Sequence, residues 1–291
     1  MQVPYLAFAD DLAILADDEQ TATKQIEILE ECANKVGLHI SYEKTKFMAT
    51  RTNTNKLITK NGEICKVEKF KYLGEFIEST GLEKSSQIDR LQKTRRYLGI
   101  TQNLYNKKSL SRNTKIRHYN TVVKPAVLYA SETLSLNRKG DLENIKKEER
   151  KIIRKILGPR KTAEGYRLQH NQVVETHSNI ELDMRKRRLK FYGHIRRLPE
   201  NRLTRQVVEY LIKLKQPTTW IAEVQRDLAR VEITETDIFD RDVFRKKIDK
   251  WDALPERTAK KPRPKWSEER KRAFAERMRL YWKDRNKMKK K

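Results

Sequence analysis

Two short apolar runs, Tyr5-Leu6-Ala7-Phe8-Ala9 and Leu12-Ala13-Ile14-Leu15-Ala16, flank the adjacent acids Asp10 and Asp11. Runs of that length, broken at a pair of acids, predict strand, tight turn, strand, with both carboxylates at the tip. Residues 17–37 then read as an amphipathic helix. Ile26, Leu29, Ala33 and Val36 make its stripe, Asp17-Asp18 cap its start and Gly37 caps its end. Leu38, Ile40 and Tyr42, followed by Phe47 and Met48, predict a strand over 38–50. Residues 56–78 predict a small β unit with a hairpin turn at Asn61-Gly62. Helical spacing begins near Glu83. It places Ile88, Leu91, Leu98 and Tyr105 on one helix, and Ile116, Tyr119 and Val123 on a second, which Pro125 kinks or ends. Leu142, Ile145, Ile152, Ile153 and Ile156 stripe a third over 141–157, stopped by Gly158-Pro159. The fold class is α+β, with small sheets first and helices after.

The Asp10-Asp11 tip carries the candidate chemistry. Adjacent carboxylates framed by apolar residues are costly unless a cation neutralises them. Carboxylates and water suit Mg²⁺ or Mn²⁺, usually together with substrate phosphates. Two such ions can clamp the attacking and leaving oxygens of a phosphoryl transfer. Asp-Asp pairs are also common without metal, and helix capping accounts for Asp17-Asp18 six residues on.

The Phe8-Ala9-Asp10-Asp11 box resembles the catalytic hairpin of reverse transcriptases. Further segments resemble the non-LTR (LINE-type) retrotransposon branch: Gly37-Leu38-His39-Ile40 through Lys44-Thr45-Lys46, Phe70-Lys71-Tyr72-Leu73-Gly74, Tyr129-Ala130-Ser131-Glu132-Thr133, Arg187-Arg188-Leu189 and Gly193-His194-Ile195. The resemblance implies the end of a palm with a primer-grip-like segment over 1–80 and a helical thumb-like region over 81–159. A helical C-terminal region follows over 160–255. It implies RNA-directed DNA synthesis, with an RNA template and a DNA primer or target as partners. Asp10 and Asp11 would hold Mg²⁺ or Mn²⁺, Lys44 would sit near the leaving pyrophosphate, and Phe70, Tyr72, Leu73 and Gly74 would hold the primer end. Trp220, Asp227-Leu228, Asp240-Arg241 and Phe244 would be helix-packing positions.

Charge changes the picture further. The chain of 291 residues has 66 Lys and Arg against 40 Asp and Glu, a net charge of +26. Such an excess repels itself unless a polyanion is near, so nucleic acid is the expected partner. Arg95 and Arg96, and the run Arg185, Lys186, Arg187, Arg188 and Lys190 followed by Phe191 and Tyr192, are the candidate contacts. Residues 256–291 read as a basic, disordered tail. From Arg257 onward it holds 16 Lys and Arg and 4 acids, with an apolar set at Phe274, Met278, Tyr281 and Trp282. No apolar run is long enough for a membrane span and no leader pattern is present, so an intracellular protein, cytoplasmic or nuclear, is expected. Cys32 and Cys65 are too few for a disulfide framework. The five His residues show no ligand spacing.

The resemblance covers roughly residues 3–251. Family members carry fingers and an earlier palm aspartate before the Asp-Asp hairpin, whereas Met1 lies nine residues before Asp10. The expectation is therefore a truncated reverse transcriptase that does not polymerise DNA as this chain, with another chain supplying fingers and palm if it does. The alternative is a non-catalytic RNA- or DNA-binding protein derived from a retroelement.

Overall fold

The computed structural model describes residues 5–50, 54–81, 84–135, 139–217 and 219–251. The described residues up to Asp249 belong to one compact unit. The expected tail over 256–291, with its apolar set near 274–282, lies outside the described residues. The class is α+β.

The chain opens with the antiparallel hairpin β1 (Tyr5–Phe8) and β2 (Asp11–Ile14), in register from Tyr5 opposite Ile14 to Phe8 opposite Asp11. Helix α1 (Glu19–Lys35) follows, its first turn capped by Asp18, whose Oδ1 accepts the Thr21 N–H at 2.7 Å. That N–H holds the Asp18 carboxyl below its usual range. Gly37 takes φ +75° just beyond the helix, the left-handed backbone that glycine adopts without strain.

The strand expected over 38–50 shrinks to β3 (Lys46–Phe47). Thr45 closes a turn on Ser41, its N–H and hydroxyl both donating to the Ser41 carbonyl at 2.9 and 2.8 Å, which ends extended pairing. β3 pairs in parallel with β5 (Glu63–Lys66), which pairs antiparallel with β4 (Lys56–Ile58). The β4–β5 turn does fall at Asn61-Gly62, but neither residue has positive φ. Gly62 is needed for room instead: a Cβ there would lie 2.7 Å from the Tyr42 ring. Ile26, Leu57 and Ile64 form the core of this part, with Ile14, Ile40, Tyr42 and Phe47 packed on it.

A second hairpin, β6 (Lys69–Tyr72) and β7 (Glu75–Glu78), leads into α2 (Lys84–Asn106). Helix α3 (Arg112–His118), capped by Ser111, passes through a π turn at Tyr119–Val123 into α4 (Lys124–Val127). Pro125 therefore does not end the helix. It sits in the first turn of α4, where a missing N–H costs little, and the widened π turn precedes it. After a 3₁₀ turn at Ser131–Thr133 come α5 (Lys139–Leu157), the short hairpin β8 (Arg160–Thr162) and β9 (Gly165–Arg167), and α6 (Asn171–His177). Then follow α7 (Ile180–Arg196), α8 (Leu203–Leu214), α9 (Trp220–Arg230), α10 (Glu235–Phe239) and α11 (Arg241–Asp249).

Two apolar clusters hold the helices. Tyr105, Tyr119, Val123, Ile152, Ile153, Ile156 and Val174 make one; Val127, Leu128, Leu134, Ile145, Ile180 and Met184 make the other. Helix α7 crosses α11 at Gly193, where a Cβ would fall 2.3 Å from Cε1 of the buried Phe244. Gly193→Val should therefore destabilise by about 1–3 kcal/mol through overpacking. Phe244→Leu in the same chain should recover part of that loss in urea unfolding. Equal midpoints for wild type and Gly193→Val would mean that α11 simply moves aside.

Candidate nucleic-acid interface

The first hairpin delivers both candidate acids to solvent. Ala9 and Asp10 form its two-residue turn, and Asp11 begins β2 opposite Phe8. Ala9 has φ +51°, a left-handed conformation that costs a non-glycine residue about 1 kcal/mol. Asp10 and Asp11 are exposed, as are the apolar Tyr5, Leu6, Phe8 and Leu12 around them. Lys44 is exposed in the turn before β3. Among the described residues no hydrogen bond or ion pair joins Asp10 or Asp11 to Lys44 or to the second hairpin, and no group of three His, Cys, Asp or Glu is placed to hold a metal ion. Asp10 and Asp11 by themselves supply two carboxylates toward the near-octahedral oxygen set that Mg²⁺ demands.

The second hairpin is held far more firmly. Leu73 and Gly74 form its tip with φ +47° and +85°, the pair of positive values that a two-residue type I′ turn requires. The Tyr129 hydroxyl donates to the Leu73 carbonyl at 2.7 Å, and a Cβ on Gly74 would lie 3.2 Å from the Tyr129 ring. One residue further, Glu75 accepts from Nη2 of Arg90 at 2.7 Å, while Nη1 of Arg90 donates to the Val127 carbonyl at 2.7 Å. Ser86, near the start of α2, accepts the Phe76 N–H and donates to the Phe76 carbonyl. Thus Phe70, Tyr72, Leu73 and Gly74 are gathered on one rigid hairpin, with Phe70 and Leu73 facing solvent.

The segment that reaches the tip is itself pinned from the other side. Arg187 donates to the Leu128 carbonyl at 3.1 Å, Arg188 to the Leu134 carbonyl at 3.3 Å, and the Trp220 indole N–H to the Glu132 carbonyl at 2.7 Å. Residues 127–134 are thus the hub between the second hairpin and the C-terminal helices. Sequence reasoning missed Arg90 as part of this arrangement. Its signal is an arginine on the same helix face as Gln87 and Thr94, a face that is buried although polar.

The basic run of α7 divides in two. Arg188 is 1% exposed, bound to Asp227 and Glu223, and Arg185 bridges Glu181 and Asp227. Burial raises the Glu181 carboxyl, but hydrogen bonds from Lys146 and Arg185 outweigh it and leave the group below its usual range. The expectation that Arg185 and Arg188 contact nucleic acid is corrected on this point: both guanidinium groups are engaged with internal carboxylates. Lys186 and Lys190 reach Asp249, through its carbonyl at 3.1 Å and its carboxylate at 2.8 Å, and Arg187 remains exposed beyond its bond to the hub. On α2, Arg95 and Arg96 are exposed, Arg95 pairing with Glu148 at 3.3 Å.

Residues 1–77 match the family model of the reverse transcriptase (RNA-dependent DNA polymerase). The N-terminal part of this chain is reverse-transcriptase-like. The match takes in the first hairpin and all but the last residue of the second, and stops before the helical block. A transposon-derived protein of Caenorhabditis elegans is 24% identical over 277 residues, covering 90% of this chain and 92% of that protein. No solved structure matches the chain. Among the described residues no helix is long and apolar enough to cross a membrane.

Proposed function

We propose that the reverse-transcriptase-like chain derives from a non-LTR (LINE-type) retrotransposon and works on an RNA template paired with a DNA primer or target. The observation that carries this reading is the pair of hairpins inside the matched region: one presents Asp10 and Asp11, the other presents Phe70–Gly74 on a clamped turn. In a complete enzyme of this kind Asp10 would ligate metal, Asp11 and Lys44 would assist, and Phe70, Tyr72, Leu73 and Gly74 would hold the primer 3′ end. The cations Arg95, Arg96, Lys186, Arg187 and Lys190 are assigned to phosphate contacts.

For the chain by itself we favour binding without nucleotide addition. The two-carboxylate tip is the specific observation behind that second reading. The test is a primer-extension assay run beside a binding titration. The expected result is tight binding of an RNA–DNA primer–template and, on duplex DNA, a log–log salt slope of about −7 if about eight phosphates are neutralised. Binding should be unchanged by Asp10→Asn, and no extension should occur with Mg²⁺ or Mn²⁺. Robust extension abolished by Asp10→Asn would show that this chain does hold a full catalytic set. Salt-independent or absent binding would remove the nucleic-acid reading altogether.

A further inference from the structure

The β8–β9 hairpin lies outside the region that matches the reverse transcriptase family, and its register sets like charges face to face. Arg160 stands directly opposite Arg167, and Lys161 opposite Tyr166. Like charges directly opposite on a ladder are destabilising, and an isolated two-stranded hairpin is marginal in water. Arg167 has one acid, Glu164. Among the described residues Arg160 has no ion pair, and its shielded Nε has no hydrogen-bond partner. Tyr166, directly opposite Lys161, lies on the same side of the ladder, and Leu168 follows just past the end of β9. Tyr166 is 75% exposed and Leu168 73%. An aromatic ring and an ammonium group thus share one open face.

The hairpin is anchored to a basic groove. Nε of Arg154 donates to the Gln169 carbonyl at 3.1 Å, and the Gln169 side chain donates to the Gly158 carbonyl at 3.1 Å. This ties the strand leaving β9 to the end of α5. Beside it lies a depression of about 450 Å³ whose walls include Arg95, Lys147, Lys151 and Arg154. Arg95 and Lys151 share one carboxylate, that of Glu148, at 3.3 and 3.0 Å. Among the described residues Lys147 and Arg154 have no acid partner.

We propose that this hairpin and groove form a binding site for single-stranded nucleic acid. A base stacks on Tyr166 with its phosphate near Lys161, and the Arg160–Arg167 pair and the groove carry the continuing backbone. Stacking on an exposed ring selects an unpaired base, since every base offers a π-face only when it is free of its own stack. The cations read phosphates alone, so the site is indifferent to sequence. It shares Arg95 with the phosphate contacts proposed above, but none of its residues lies in 1–77 and Tyr166 alone carries the stacking.

The test is fluorescence anisotropy of the full chain with a single-stranded oligonucleotide, a strand of equal length and charge made abasic, and a duplex. Tyr166→Ala should weaken the base-bearing strand about fivefold or more, the equivalent of about 1 kcal/mol for one stacked base. Tyr166→Phe should bind as wild type. The abasic strand and the duplex should not distinguish Tyr166→Ala from wild type. Arg160→Gln with Arg167→Gln should flatten the single-strand salt slope by about 1.4, for two lost phosphate contacts. Unchanged affinity of Tyr166→Ala, an equal loss on the abasic strand or failure of Tyr166→Phe to restore binding would each overturn the stacking site. An unchanged salt slope in the double arginine variant would overturn the phosphate clasp.

Discussion

Arg188→Ala will cost the protein about 3–5 kcal/mol of stability, the range expected when one partner of a buried ion pair is removed. Arg188 lies on α7, 1% exposed, and donates to Asp227 through Nη2 at 2.8 Å and Nε at 3.2 Å. Its Nη1 reaches Glu223 and the Leu134 carbonyl. The two acids sit four residues apart on α9, so both project from one helix face onto the same guanidinium. Without Arg188, Asp227 keeps Arg185 at 2.5 Å and Arg230 at 3.3 Å. Glu223, 7% exposed, has no other ion pair among the described residues, and it becomes the isolated buried charge. The loss should appear as a lower urea midpoint at unchanged slope. Because the pair is shielded from solvent, added salt should recover little of it. Adding Glu223→Leu to Arg188→Met should restore much of the stability, since an apolar replacement of a buried pair is often tolerated. A loss under about 1 kcal/mol for Arg188→Ala would mean that water reaches Glu223 and carries its charge.

Nothing local in the run Arg185–Lys190 distinguishes its internal arginines from its external lysines. The distinction depends on Glu223 and Asp227, which come from a helix some forty residues later, and pairing over that distance leaves no mark on periodicity. A weaker signal existed: two acids at i, i+4 on a helix whose other buried positions are Ile221 and Val224. In α2 the expected stripe holds at Leu91, Leu98 and Tyr105, which pack on the two apolar clusters, and departs at Ile88 for a related reason. Its apolar residues Ile88 and Ile100 face water, while Ser86, Gln87, Arg90 and Thr94 face inward to serve the second hairpin and the hub. Where the decisive forces are local, the chain is legible. The Asp-Asp hairpin, the Asp18 cap, the Asn61-Gly62 turn, the stripe of α5 and the stop at Gly158 all follow from patterns within a few residues. The β8–β9 hairpin escaped because its three-residue strands carry no apolar alternation, only charge and one aromatic.

Glu149→Ala should be nearly as damaging as Arg188→Ala, by about 3 kcal/mol or more, because it strands three donors at once. Oε1 of Glu149 accepts from the Ser178 hydroxyl at 2.6 Å and the Tyr119 hydroxyl at 3.1 Å. Oε2 accepts the Ile180 N–H at 3.0 Å. Ile180 is the first residue of α7, so a carboxylate on α5 satisfies one of the helix-start amides that has no partner within its own helix. Tyr119 and Ser178 are 1% and 4% exposed, and water would not easily replace the lost acceptor. Burial raises the Glu149 carboxyl above its usual value, and the hydrogen bonds from Ser178, Ile180 and Tyr119 with the charge of Lys124 reduce that rise without cancelling it. The folded protein therefore holds this proton more tightly than the unfolded chain. The resulting stability is fully present below the unfolded value, near 4.5, and is lost as pH rises through the folded one. Glu149→Gln cannot titrate, so its stability relative to wild type should improve as pH rises across that window. Asp237, lowered to about 2 chiefly by its hydrogen bond from Lys247, acts in the opposite sense: its contribution is present above 3.8 and fades as pH falls toward 2. The two effects separate because only the first vanishes in Glu149→Gln. Urea unfolding of wild type and Glu149→Gln from pH 4 to pH 8 checks the sign. A flat difference between them would mean that this carboxyl ionises alike in the folded and unfolded protein, and that burial is balanced by its three donors.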